Sequence, residues 1–408
     1  MPVTTRLLRS SAFPRTLALR SILSTPYGMR NDKVDHTSVH YNGVTYFAFI
    51  DSTSFYPRIA AFNHGTLTTS GPTTLQSTAY ESHTSPSVAI SPVDQSILVC
   101  WSGHDAGTAY VAASTNPEDI SAFGSPISLH AQLGASADYT YMSLLALGSD
   151  LYLFWRDYTG TYGRIAYSKS SDGGATWATR TLLATASGAS GQVLYFRIIA
   201  DTVNSVIHIF TTDNDRVISP SSLYHFYLDT SGAIYKSDGT LIVAAKPISP
   251  SASASLVKSS AGGAIDPYTG SVDASGQPAI TFAVYDSGTP TNQIWVARWR
   301  TGAWQANQVG DTNGLVSGFR FLGAAAARRT TPDVVFFPRK VGSHFEMHRY
   351  TTTNDGVSWS GAALESGSSD ECFRVDTPLA AAPGLEALWA RGTLTSDSSF
   401  TTATKGYG

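Results

Sequence analysis

The feature that most constrains the fold is a repeated pair of apolar runs joined by a tight turn. In each copy, the two alternating runs meet at Gly, Asp, Asn or Pro, the residues typical of hairpin turns. The spacing between copies is roughly 50 to 60 residues, which is typical of architectures built from one repeated unit. Seven copies occur, at Ser38–Ile50, Ser87–Trp101, Ser143–Trp155, Arg197–Phe210, Gly270–Val284, Phe321–Phe337 and Pro378–Trp389.

Several copies continue into a third apolar run, which extends the hairpin to three or four strands. These third runs are Gly163–Ser168, Leu223–Leu228, Gln293–Trp299 and His344–Tyr350. A parallel α/β fold would require amphipathic helices of about 10 to 15 residues between its strands, and the sequence does not show that pattern. We therefore predict an all-β chain that forms a seven-bladed β-propeller of four-stranded antiparallel blades.

Composition agrees with a globular, strand-rich chain and excludes some classes of partner. Hydrophobic residues make up 42% of the chain, and no window approaches the ~18 uninterrupted apolar residues of a membrane span. Charged residues make up only 14% and the formal net charge is −3, so no overall field attracts nucleic acid. A weakly charged surface rich in Ser, Thr and Gly suits secreted and virion proteins, and we expect an extracellular or virion-associated location.

The first 31 residues differ from the rest of the chain. They contain five arginines and no acidic residue, and Arg20 interrupts the apolar stretch that a secretory signal would need. Such a segment resembles an organelle transit peptide, but we favour a retained arm that docks on a partner. The predicted domains are a basic N-terminal arm or leader, residues 1–31, and a single β-propeller, residues 32–408.

The cysteines and two of the histidines raise the question of a metal site. Cys100 and Cys372 lie far apart, without the spacing of a disulfide framework or a zinc ribbon, so we expect buried thiols. His208 and His225 fall on runs that could be neighbouring strands, where they could coordinate a structural metal. Since no third ligand is evident, we favour ordinary packing and predict no metal site.

One turn carries a more specific signature, that of the Asp box in sialidase-like propellers. Its residues are Ser170, Asp172, Gly174, Thr176 and Trp177, and a degenerate copy spans residues 352–359. In such a turn the Asp and Ser side chains bond backbone amides, Gly takes a positive φ and Trp packs between blades. We therefore interpret these residues as structural, and Asp172 as a turn residue rather than a catalytic acid or metal ligand.

Five short motifs rich in His, Tyr and Arg occur at the predicted strand ends between residues 80 and 200. They are His83-Thr84-Ser85-Pro86, Trp101-Ser102-Gly103-His104, Tyr139-Thr140-Tyr141, Phe154-Trp155-Arg156 and Tyr195-Phe196-Arg197. In order and approximate spacing they resemble the motifs of the BNR-repeat propellers that include the ulvan lyases. The resemblance extends over about residues 80 to 245, and outside that range it is architectural only.

The resemblance implies a polysaccharide lyase that cleaves an acidic, uronate-containing glycan by β-elimination. Arg156 would clamp the uronate carboxylate with the help of His104. His83 would take the C5 proton, and Tyr141 would donate a proton to the departing oxygen or share the role of base. The reaction needs neither a metal nor an organic cofactor. The remaining members of the motifs, which we assign to substrate binding, are Tyr195, Arg197 and Tyr139.

The sequence also departs from this pattern and leaves other functions open. Glu81-Ser82 stands where the family has two acidic residues, and Met142 replaces a proline. One alternative is a glycan-binding or structural propeller of a virion, such as a phage tail, or of a cell surface. Another is a sialidase-like hydrolase, but Arg58-Ile59-Ala60 replaces its Arg-Ile-Pro motif. Taken singly, each His, Tyr or Arg would more often pack or pair, as Arg156 would with Asp157.

Overall fold

The structure is a computed structural model. It describes residues 19–23, 35–80, 85–104, 107–134, 138–158, 163–186, 192–216, 218–285, 291–315, 324–367, 369–394 and 400–407. Twenty-nine strands and two short helices lie in these ranges, and the strands form seven antiparallel sheets arranged as the blades of a β-propeller. The predicted fold class is therefore confirmed.

The first three blades are built from strands that follow one another along the chain. The first strand of the chain, β1 (Leu19–Leu23), belongs to the last blade. Blade 1 contains β2 (Ser38–Tyr41), β3 (Val44–Ile50), β4 (Pro57–Asn63) and β5 (Thr68–Thr74). Blade 2 contains β6 (Ser87–Ile90), β7 (Ile97–Ser102), β8 (Ala109–Ala113) and β9 (Ile127–Ser128). The helix α1 (His130–Leu133) follows, and blade 3 contains β10 (Asp138–Leu147), β11 (Asp150–Tyr158), β12 (Gly163–Ser170) and β13 (Thr181–Thr185).

The remaining blades continue the same order. Blade 4 contains β14 (Phe196–Asp201), β15 (Val206–Thr212), β16 (Leu223–Asp229) and β17 (Ile234–Lys236), and after the helix α2 (Pro250–Ser253) an extra strand β18 (Ser255–Lys258) also pairs with β16. Blade 5 contains β19 (Ala264–Val272), β20 (Pro278–Tyr285), β21 (Gln293–Arg300) and β22 (Ala303–Asp311). Blade 6 contains β23 (Ala326–Ala327), β24 (Val334–Val341), β25 (His344–Thr351) and β26 (Ser360–Ala363). Blade 7 contains β27 (Glu371–Asp376), β28 (Ala387–Leu394), β29 (Phe400–Tyr407) and β1.

The predicted hairpins correspond to the first two strands of the seven blades, with one shift. In blade 7 the first strand is Glu371–Asp376, and the run after Pro378 that the pattern assigned to a strand lies beyond it. Leu379 of that run instead bridges to blade 1, where its N–H donates to the Ser38 carbonyl at 2.9 Å. The predicted first strand of this hairpin is therefore wrong, because the run after Pro378 forms only an isolated bridge to Val39 of blade 1.

The N-terminus of the described chain closes the ring. In β1, Leu19 and Arg20 pair with Tyr407 and Gly406 of β29, so the last blade joins both ends of the chain. Part of the segment that we expected to be a separate arm, residues 19–23, is therefore a strand of the propeller. Residues 1–18 and 24–34 lie outside the described residues.

Hydrophobic side chains fill every interface between neighbouring blades. Each of the seven apolar clusters joins two adjacent blades. On β3, Tyr46 and Ala48 pack toward blade 2, whereas Phe47 and Phe49 pack toward blade 7. This period of two lets one strand bury both faces, as a sheet enclosed on both sides requires. Cys100 and Cys372 are free thiols buried in two of these clusters, as expected.

The turn that carries the Asp-box signature has the contacts expected of a structural element. The Asp172 carboxylate accepts hydrogen bonds from the Thr176 backbone N–H at 2.9 Å and from the Thr176 and Ser170 hydroxyls at 2.5 and 2.8 Å. Hydrogen bonds from Thr176 lower the pKa of Asp172 to about 2. Trp177 is buried between blades 2 and 3, and its Nε1–H donates to the Gly174 carbonyl. The looser copy at residues 352–359 repeats these contacts, except that the Asn354 amide donates to the Ser358 hydroxyl instead of accepting from it.

No helix in the ranges that the structure describes is long and apolar enough to cross a membrane.

Replacing Gly174 with Ala should destabilise the protein more than the same change at another turn. Gly174 has φ +92°, and an added Cβ would lie 2.2 Å from Cδ2 of the buried Leu98. Backbone strain and overpacking together should lower the free energy of unfolding by about 2 to 4 kcal/mol. Gly148 is the matched control, with φ +62° and no atom within 4 Å of its added Cβ, so Gly148→Ala should cost about 1 kcal/mol. Denaturant unfolding of both variants measures the difference, and equal losses would contradict the packing argument.

Candidate functional site

The strand order of the blades brings the predicted site residues to one face of the ring. In every blade the first strand is antiparallel to the second, so the start of the first lies beside the end of the second. We call the face where these ends meet the upper face. Tyr141 near the start of β10, Arg156 near the end of β11 and Tyr195 just before β14 all lie there.

Tyr141, Arg156 and Tyr195 form a compact cluster between blades 3 and 4. The Arg156 Cζ atom lies 4.6 Å from the centre of the Tyr141 ring and 5.3 Å from the centre of the Tyr195 ring. The two rings are 5.8 Å apart and tilted by 46°. The guanidinium therefore lies against two aromatic faces, which favours its positive charge. Three of the residues that the sequence nominated thus come together, although they belong to two blades.

The position of Tyr141 depends on an irregularity in β10. The register with β11 shifts between Thr140 and Ser143, and Tyr141 has φ +56°, an uncommon conformation for a residue other than glycine. Bulges of this kind redirect a side chain from the face that regular alternation would give it. Such backbone conformations are concentrated at functional sites, where the surrounding structure holds them in place.

Arg156 is a buried cation without a carboxylate partner among the described residues. Its side chain is 7% exposed, and its Nε and Nη1 atoms have no hydrogen-bond acceptor within that part of the chain. Burial lowers its pKa, but the Tyr141 and Tyr195 side chains outweigh this effect and the pKa is raised overall, so the group stays charged. The adjacent Asp157 instead pairs with Arg164 and Arg180, at 2.5 and 3.0 Å. Since an unmatched buried charge is unfavourable, the arrangement suits an incoming anion.

Arg216, which was not among the predicted site residues, joins the same cluster. It follows β15, and its Cζ atom lies 4.7 Å from the centre of the Tyr195 ring. Its Nη1 atom lies 3.8 Å from the Oδ2 of Asp266 in blade 5. Arg156 lies within β11, two residues before its end, whereas Arg216 lies four residues beyond the end of β15. No motif in the sequence therefore marked Arg216.

Arg197, predicted to bind substrate, is held by protein groups in the structure. Its Nε–H donates to the Tyr268 carbonyl at 2.6 Å and its Nη1–H to the Phe196 carbonyl at 2.9 Å. The guanidinium also lies 3.9 Å from the Asp35 carboxylate, to which Arg329 approaches at 3.5 Å. These contacts join blades 4, 5 and 6 to the segment that precedes β2, so Arg197 serves the architecture.

Tyr139, also predicted to bind substrate, lies in the core instead. It is fully buried, its ring packs 5.8 Å from Trp155, and its hydroxyl donates to the Gly134 carbonyl at 3.3 Å. It belongs to the apolar cluster between blades 2 and 3. Tyr139 precedes the bulge, so its side chain and that of Tyr141 point to opposite faces of the sheet. Tyr139 is therefore not part of the candidate site.

His104 lies on the upper face in a groove between blades 1 and 2. The groove has a volume of about 510 Å³ and is also lined by Gln76, Tyr80 and Tyr110. His83, the predicted base, lies outside the described residues. The structure thus places His104 on the expected face, in a groove with two tyrosines, and leaves the position of His83 as a prediction.

His208 and His225 pack against each other, as we favoured. Nδ1 of His208 and Nε2 of His225 are 3.0 Å apart, and the second ring also bonds the Ser237 hydroxyl at 2.8 Å. Burial lowers the pKa of both rings, so both are neutral at neutral pH. No group of three or more His, Cys, Asp or Glu side chains suited to a metal ion occurs in the described ranges.

Comparisons with known proteins agree with this architecture. The sequence profile of a family described as "BNR repeat-containing family member" matches residues 44–312. An ulvan lyase of polysaccharide lyase family PL25, solved with -[GlcA(1-4)Rha3S]- bound, superposes with a TM-score of 0.74 and 16% identity, covering 94% of this chain and 93% of that one. The polysaccharide lyase Uly1 superposes with a TM-score of 0.62 and 12% identity, covering 93% and 92%. No curated protein matches the sequence. At these identities the superpositions show a shared fold.

Stability should fall as the pH drops below about 6.5, because of buried neutral histidines. His36, which precedes β2, is 1% exposed, its Nδ1–H donates to the Leu144 carbonyl at 3.1 Å, and burial together with Arg329 lowers its pKa to about 3. The unfolded chain takes up a proton at this residue below about pH 6.5, whereas the folded chain does so only near pH 3. Protons therefore favour unfolding, and His36 should remove about 1.4 kcal/mol of stability per pH unit within that window.

The variant His36→Asn tests this contribution, because its amide can still donate to the Leu144 carbonyl but does not titrate. Denaturant unfolding at pH values between 7.5 and 4.5 should show a shallower loss of stability for the variant than for the wild type. Carboxylates contribute equally to both proteins, so parallel curves would mean that His36 has the same pKa in the folded and unfolded chains.

Proposed function

Because the chain belongs to the BNR repeat-containing family, we propose that it is a polysaccharide lyase that cleaves a uronate-containing acidic glycan by β-elimination. The observation that carries this proposal is Arg156, a buried cation with no carboxylate partner among the described residues, enclosed by the Tyr141 and Tyr195 rings. A site of this kind favours a planar anion, for which a guanidinium supplies two parallel hydrogen bonds.

The chemistry of elimination matches the groups in the cluster. The proton at C5 of a uronate is only weakly acidic, since its removal places further negative charge on a carboxylate. A guanidinium paired with that carboxylate stabilises the charge as it develops. The base takes the C5 proton, a C4–C5 double bond forms, and the C4–O bond breaks. The departing glycosidic oxygen then takes a proton from a general acid.

Each step has a candidate residue in this chain. Arg156 binds the carboxylate, Tyr141 donates the proton to the departing oxygen, and His83 is the base that the sequence motif nominates. His104 assists from the neighbouring blade. The contact between the Tyr141 ring and the Arg156 guanidinium supports this assignment, because it makes a proton donor and a carboxylate clamp neighbours. Proton transfer by such positioned groups typically contributes about 10² to 10⁴ in rate.

The solved ulvan lyase supports the substrate class. That protein shares the fold of this chain and was solved with an oligosaccharide that contains glucuronic acid. We extend this to the present chain as an acidic polysaccharide ligand that contains a uronate. Sialidase-like hydrolysis is less well supported, because Arg58-Ile59-Ala60 stands where that family has its Arg-Ile-Pro motif. Binding without cleavage, as in a virion or cell-surface protein, is the alternative that the assay below addresses.

The proposal is tested by incubating the protein with a panel of uronate-containing polysaccharides and following the ultraviolet absorbance of the unsaturated product. We expect a rise in absorbance on at least one glycan. Arg156→Met should lower kcat/KM by about 10² to 10³, the usual effect of losing one charge-stabilising group. Arg156→Lys should lose less, since it keeps the charge but not the planar fork.

The matched control is Arg164→Met, which removes an arginine of the same blade that pairs with Asp157. It should lower stability and leave kcat/KM within about threefold of the wild type. Glycan binding without any unsaturated product would replace the lyase with a glycan-binding propeller, and release of a saturated reducing end would indicate a hydrolase.

A further inference from the structure

A second buried arginine, Arg216, contacts the candidate site through Tyr195. The ring of Tyr195 contacts two guanidinium groups, with Arg156 Cζ at 5.3 Å and Arg216 Cζ at 4.7 Å from its centre. Both arginines are buried, at 7% and 5% exposure. Electrostatic repulsion from Arg216 acts to lower the pKa of Arg156, so the two cations lie close enough to interact.

Blade 5 fixes the position of Arg216. Its Nη1 atom lies 3.8 Å from Asp266, a fully buried carboxylate on β19. That carboxylate accepts a hydrogen bond of 3.2 Å from the hydroxyl of Tyr285, which in turn lies 2.9 Å from the hydroxyl of Tyr268. Burial raises the pKa of Tyr285 well above its ordinary value, so this hydroxyl keeps the proton that it donates. A chain of buried groups therefore holds the second guanidinium against Tyr195.

Two buried cations that contact one phenol ring form an unusual arrangement. In this network the Asp266 carboxylate faces Arg216, with its Oδ2 atom 3.8 Å from Nη1. Positive charge in a poorly solvated site favours a ligand that carries more negative charge. In β-elimination, the uronate gains negative charge between the bound state and the transition state. A second cation therefore stabilises the transition state more than the bound substrate.

We propose that Arg216 is a positioning residue that holds the Tyr195 ring against Arg156 and places a second positive charge behind it, which serves the transition state of elimination. This inference rests on the proposed lyase function. Arg216 is assigned no contact with the substrate, so its effect should appear in kcat rather than in KM.

The test compares Arg216→Met and Arg216→Lys on a uronate glycan that the wild type cleaves. Methionine fills much of the same space without the charge, so R216M should lower kcat by about 10- to 100-fold with KM within about threefold. R216K keeps the charge and should retain more of kcat than R216M. The double mutant with Tyr195→Phe should show a non-additive loss of kcat, because the two side chains are in contact.

The matched control is Arg298→Met, which removes another buried arginine that lies over an aromatic ring, that of Trp359, between blades 5 and 6. It should lower stability and leave kcat unchanged. Circular dichroism and thermal unfolding of each variant establish whether it is folded, and if R216M is not folded, Arg216→Gln, which also removes the charge, decides.

The outcomes separate this inference from the proposed function. An active wild type whose folded R216M, or in its absence Arg216→Gln, keeps wild-type kcat would overturn the role of Arg216 alone. A rise in KM at constant kcat would also overturn it, because it would mean direct binding of substrate. A wild type that forms no unsaturated product from any glycan of the panel would overturn both.

Discussion

The structure depends on the burial of both faces of every blade. A four-stranded sheet whose two faces are apolar is stable only when another layer covers each face, since exposed apolar surface costs about 25 cal/mol per Å². In this chain the seven apolar clusters alternate with the seven sheets, so each blade covers its two neighbours. Every blade is covered on both faces only when the ring is closed, so that the last blade packs against the first.

Closure is achieved in two ways that involve distant parts of the chain. The strand β1 completes blade 7 by pairing with β29, so residues near the N-terminus supply the outer strand of the last sheet. On the inner side, the hydroxyls of Thr37 and Ser38 donate to the Asp376 carboxylate at 2.7 and 2.5 Å. Arg329 bonds the same carboxylate at 3.1 Å. Blades 1, 6 and 7 thus meet at one carboxylate near the axis of the ring.

The candidate site uses the part of each blade that closure leaves available. The middle of the second strands is committed to the interfaces, so polar side chains gather where first strands begin and second strands end. At those ends the structure treats similar residues differently. Arg197 is bound by two carbonyls, whereas Arg156 has no carboxylate partner among the described residues. That contrast, rather than the presence of arginine, distinguishes a group that holds the fold from one that suits an anion.

The sequence by itself determined the number of blades, their antiparallel hairpins and the strand ends where polar residues gather. These follow from local patterns, because alternation and turn residues act over a few positions of the chain. It also nominated Tyr141, Arg156 and Tyr195 through their motifs. Only the tertiary structure decided that these three meet, that Tyr139 turns into the core and that Arg216 joins from a loop no motif marked. The motifs Phe154-Trp155-Arg156 and Tyr195-Phe196-Arg197 both end in arginine after two aromatic residues, yet their arginines have opposite surroundings. What a side chain meets across a blade interface depends on residues far away in the chain, and the alternation of a single strand carries no information about them.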